Sequence, residues 1–78
     1  MAVNFRNYYQ RCWLADDGRS GAIYDIFPER LDSETLIVTV TEDGVTNVIG
    51  RTESYGDAFS LCERHDAEAS SAKADRAR

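Results

Sequence analysis

Cys62-Glu63-Arg64-His65 places a thiol and an imidazole three residues apart, one turn of a helix. With Cys12 and a carboxylate, such a pair could ligate zinc. Structural zinc sites usually carry paired Cys-x-x-Cys spacing, which this chain lacks. A thiol and an imidazole could also act as nucleophile and base. That chemistry needs an orienting third group and oxyanion donors lining a pocket. A single small sheet with one helix has little volume for one. Cys62 therefore reads as a small core residue on the same helical face as Phe59, and His65 as solvent-facing. Gly18-Arg19-Ser20-Gly21 is glycine-rich, but neither Lys-Ser/Thr nor a helix follows, and a phosphate cradle needs both. No catalytic residue, metal or cofactor is expected.

Arg6, Arg11, Tyr8, Tyr9 and Trp13 interleave cations with aromatic rings, a mixture that stacks bases in single-strand binders. This supports an alternative function, a small nucleic-acid-binding accessory domain working through the first strand. Against it, residues 1–30 balance Arg6, Arg11, Arg19 and Arg30 with Asp16, Asp17, Asp25 and Glu29. The rings are more simply the core of a small domain.

The acids remain. In an antiparallel meander the first and third connections share one end of the sheet. Asp16 and Asp17 would then neighbour Glu42 and Asp43, with Arg19 the one cation nearby. A second set, Asp57, Glu63, Asp66 and Glu68, would run along the outer face of a helix. Such surfaces either confer solubility or meet a basic partner, whose on-rate and orientation they set. We take all eight as candidate partner-binding residues.

These groups are positioned by an expected α+β fold: two antiparallel hairpins forming a four-stranded sheet, with one C-terminal helix packed on it. Residues 3–14 carry strand-favouring aromatics but alternate imperfectly, so a helix there, giving αβββα, is the alternative. Residues 22–27 form the second strand, stopped by Pro28. Leu36–Thr41 and Val45–Arg51 form the second hairpin. A three-residue loop with Gly44 left-handed would pair Val38 with Val48 and Val40 with Thr46. Ser54 is a good N-cap, and Asp57 suits the positive start of the helix. Leu36, Val38, Val40, Val48, Phe59 and Cys62 would share the core. Residues 1–68 make one domain. Residues 69–78 hold no large apolar side chain and are expected to fray.

At 78 residues, with 42% hydrophobic and 29% charged, the composition fits one globular domain, not a disordered segment. Nothing approaches the ~18 consecutive apolar residues of a membrane span. Met1-Ala2-Val3-Asn4-Phe5-Arg6 lacks the pattern of a signal peptide. A reducing cytoplasm with free Cys12 and Cys62 is therefore expected. The net charge of −5 opposes direct phosphate binding. The charge is uneven: residues 1–68 hold thirteen acids and six bases, while Lys73, Arg76 and Arg78 make the tail basic.

In length, charge and economy of fold the chain resembles the small acidic inhibitors carried by phages and mobile elements, of which anti-CRISPR proteins are the best-known group. That resemblance assigns no residue a role. It implies a mechanism, in which an acidic surface occupies a basic, nucleic-acid-binding site of a host protein as a nucleic-acid mimic. It also implies a partner, a CRISPR effector complex or similar basic host protein, and a setting in the host cytoplasm. Separately from that resemblance, an exposed edge strand could pair with its twin, so a monomer or homodimer is expected, and composition and charge point to no membrane and no direct nucleic-acid contact.

Overall fold

The computed structural model describes residues 4–16, 18 and 20–76, with side chains as far as Ala69. It is α+β: five antiparallel strands in one open sheet and a single C-terminal helix. The strands are β1 (Arg6–Tyr9), β2 (Cys12–Ala15), β3 (Ile23–Pro28), β4 (Leu36–Glu42) and β5 (Val45–Thr52), and they pair in chain order. Helix α1 (Tyr55–Arg76) crosses one face over β4 and β5.

The fifth strand corrects the four-stranded expectation, and β1 and β2 overturn the helical alternative for residues 3–14 as far as those residues are described, from Asn4 on. The aromatic first segment folds back on itself at Gln10 and Arg11, pairing Tyr9 with Cys12. Gln10 takes a positive φ of 35°. The side-chain amide of Asn7 donates to the carbonyls of Gln10 at 2.7 Å and Cys12 at 3.0 Å, bracing the turn. This turn lacks the glycine that marks most tight hairpins, so the segment reads as one strand.

The second hairpin also differs in register. Asp43 and Gly44 both adopt positive φ, 52° and 80°, which closes a two-residue turn. Val40 therefore faces Asn47 and Thr39 faces Val48. Val48 lies on the open face and is exposed, not in the core. A bulge then takes up Ile49, so that Val38 faces Gly50 and Leu36 faces Thr52. Ile49 packs against the core where Val48 was expected.

The core lies between the sheet and α1. Ala15, Tyr24, Ile26, Leu36, Val38 and Val40 from the sheet meet Ala58 and Cys62 from the helix, all buried. Trp13, Tyr55 and Phe59 pack edge-on beside them, and Phe5 stacks on Phe59 at 4.8 Å. Gly50 lets the helix approach: a Cβ there would lie 2.6 Å from Leu61 Cδ2.

Ser54 caps α1 as expected, its Oγ accepting from the Asp57 backbone N–H at 3.1 Å. Gly56 sits in the first turn with open space around it. Gly56→Ala is expected to stabilise the fold by about 0.5–1 kcal/mol, since only backbone entropy opposes the helix there. A higher urea midpoint with unchanged slope checks this; a lower midpoint contradicts it.

Candidate functional site: the acidic end of the sheet

The connections β2–β3 and β4–β5 do lie at one end of the sheet, because Ile23 pairs with Thr41 at the margin of both. The helix reaches the same end at His65 and Asp66. Both run against the sequence reading, which turned them outward.

Asp66 is only 2% exposed. Its Oδ1 accepts from the Ser20 backbone N–H at 3.1 Å and the Ser20 hydroxyl at 2.7 Å. A buried carboxylate needs such donors, because leaving water otherwise costs several kcal/mol. Ser20 Oγ in turn accepts from the Ala22 N–H. Gly18 passes so close that a Cβ there would lie 2.6 Å from the same Oδ1. The glycine-serine loop thus cradles a carboxylate of its own chain rather than a phosphate.

His65 is half-buried. Its Nδ1 lies 2.8 Å from the Tyr24 hydroxyl, which donates when the ring proton is on Nε2. Nε2 is 3.9 Å from Glu42 Oε1, an ion pair only when the imidazole is protonated. Burial pushes Tyr24 up to about 12, eased by the neighbouring Ser20 hydroxyl and reinforced by the carboxylates of Asp66 and Glu42. Glu42 thus stands beside His65, the residue next to Asp66 on the helix.

The other candidate acids separate. Glu42 and Asp43 are exposed at the β4–β5 turn. Asp16 is exposed but paired: Arg6 donates to both its oxygens, at 3.3 and 3.1 Å, and holds its carboxyl below the usual range. The expectation that only Arg19 would stand near these acids missed Arg6, which β1 brings across by pairing Arg6 with Leu14. Asp17 and Arg19 lie outside the described residues. On the helix Glu63 is half-buried and Glu68 exposed, both within one turn of Asp66. Asp57, also exposed, is nine residues back, about 14 Å along the axis, by the opposite end of the sheet.

Cys62 has no exposed surface, and burial pushes its thiol up to about 12, with the charge of Glu63 adding. Ser20 is buried too. Neither presents a nucleophile to solvent. Cys12 and Cys62 are both free thiols. Among the described residues no cluster of His, Cys, Asp or Glu suits a metal ion, and no helix is long and apolar enough to cross a membrane.

The cation–aromatic set of the first segment is mostly engaged within the fold. Trp13 is packed by Tyr55 and Phe59. Arg11 donates to the Leu31 carbonyl and Arg6 to Asp16. Tyr9 is exposed; Tyr8, also exposed along its ring, donates to Asp25 at 2.9 Å, and partial desolvation of its hydroxyl together with that carboxylate raises its pKa to about 12. Comparison with protein-family models, curated proteins and solved structures finds no match for this chain.

Proposed function

We propose that this is a non-enzymatic binding protein whose acidic surface blocks a basic, nucleic-acid-binding site on a host protein, in the manner of anti-CRISPR inhibitors. A CRISPR effector complex is the partner class that fits. The carrying observation is the convergence of Glu42, Asp43 and the buried Asp66 at one end of the sheet, with Glu63 and Glu68 beside them. A carboxylate held in a poorly polarisable interior adds its field to the exposed acids above it. The working surface is then Asp16, Glu42, Asp43, Glu63 and Glu68. Asp66 supports it from within, and Asp57 stands apart.

The test combines Glu42→Gln, Asp43→Asn and Glu68→Gln. Asn tolerates the positive φ of residue 43. The control, Glu29→Gln with Asp32→Asn and Glu34→Gln, makes the same charge change in the exposed β3–β4 connection at the far end. With a nucleic-acid-binding CRISPR effector as partner, the first variant should associate about ten-fold more slowly, with a flatter salt dependence. The control should associate nearly as the parent does. Equal losses from both, or tight binding of the chain itself to DNA or RNA at moderate salt, would reject the proposal.

A further inference from the structure

Strand β5 ends the sheet, and among the described residues nothing pairs with its outer side. From Val45 to Gly50 it carries no charge and no proline, the usual guards of a free edge. Val45 and Val48 are about 60% exposed (59% and 62%). The opposite edge, β1, is four residues long, bulged and headed by Arg6.

The turn fixes which backbone groups point outward. Residues flanking a two-residue hairpin turn exchange both backbone hydrogen bonds. Glu42 and Val45 are that pair, so Val45 and Asn47 direct their N–H and C=O groups to β4. Thr46 and Val48 direct theirs away from it. The Thr41 and Thr46 hydroxyls, 2.8 Å apart, fit the close, non-hydrogen-bonded pair that this alternation requires.

We propose that β5 is a self-association edge whose occupant is β5 of a second copy, antiparallel across a two-fold axis at Asn47. Thr46 of each copy then exchanges backbone hydrogen bonds with Val48 of the other, joining two sheets into one of ten strands. Charge selects this occupant. Beyond Val48 the bulge takes up one residue, so Arg51 of each copy arrives beside the other's Asp43-Gly44 turn. One cation and one anion meet at each end, around a centre free of charge. A strand with acids in its middle gains nothing comparable.

The test is the solution mass of the intact chain across a concentration series. The parent should approach twice its 8.8 kDa mass. Val48→Lys places a charge on an exposed position that the monomer tolerates, and should raise the dimer dissociation constant at least ten-fold with an unchanged circular dichroism spectrum. Asp43→Asn should raise it several-fold, by a factor that shrinks in high salt. A parent that stays monomeric up to about 1 mM, or a dimer indifferent to both substitutions, overturns the proposal. Val48→Lys retains every acid, so its effect on self-association is separable from binding to a basic partner.

Discussion

Asp66→Ala is expected to lower the unfolding free energy by about 2–4 kcal/mol. The substitution removes the acceptor of two buried hydrogen bonds, those from the Ser20 N–H and hydroxyl, and a lost hydrogen bond to a charged group costs about 1.5–3 kcal/mol. A core of this size supplies only ~3–5 kcal/mol in all, so a sizeable fraction of the variant should be unfolded at 25 °C. Asp66→Asn retains an acceptor oxygen and should lose distinctly less. Urea unfolding followed by the fluorescence of Trp13, a β2 residue packed against Tyr55 and Phe59 of the helix, reads both. A loss under about 1 kcal/mol for the alanine variant would show that the carboxylate does not anchor the loop to the helix.

Ile26→Ala should be the most damaging single change in the sheet. Ile26 is fully buried at the centre of β3, between Trp13 on β2 and Val38 on β4. Truncation removes transfer energy and leaves a cavity that strands bonded on both sides cannot collapse to fill, for about 2–5 kcal/mol. Ile26→Val, losing one methylene, should cost about 0.5–1.5 kcal/mol. The two urea midpoints should fall in that order, with the alanine variant largely unfolded before denaturant is added. Similar small shifts for both would mean that the helix–sheet interface repacks.

The hydrophobic pattern made much of this legible. Leu36, Val38 and Val40 alternate as a strand with one buried face, and Tyr55, Ala58, Phe59 and Cys62 follow a helical stripe capped by Ser54. Hidden features depended on backbone conformations that residue type only weakly specifies. Gln10 is not a residue that announces a turn, so β1 and β2 read as one. Asp43 in the left-handed region shortened the second loop by one residue and moved Val48 to the other face. The acidic end was legible as topology, since alternate meander connections must share an end. Its interior was not. Asp66 reads as one more surface acid until the fold brings Ser20 to it, and no local rule predicts a hydrogen bond between residues 46 apart. The signal that could have raised it is the glycine at position 18, with a serine two residues on, in a loop short of other reasons for either.

Because every neighbour in the sheet is also a neighbour in the chain, no ladder must wait for a distant segment to arrive. Each hairpin closes a short loop, which costs little chain entropy, and topologies built this way fold quickly for β structure. The distant meetings are those of the helix with the first half of the sheet, Phe5 with Phe59, Tyr24 with His65 and Ser20 with Asp66. The order of events written into the connectivity is therefore strands first, from either side of β3, and helix docking last. The Asp66 anchor is in that sense a latch, closing on a sheet already assembled and governing how long the finished molecule stays shut.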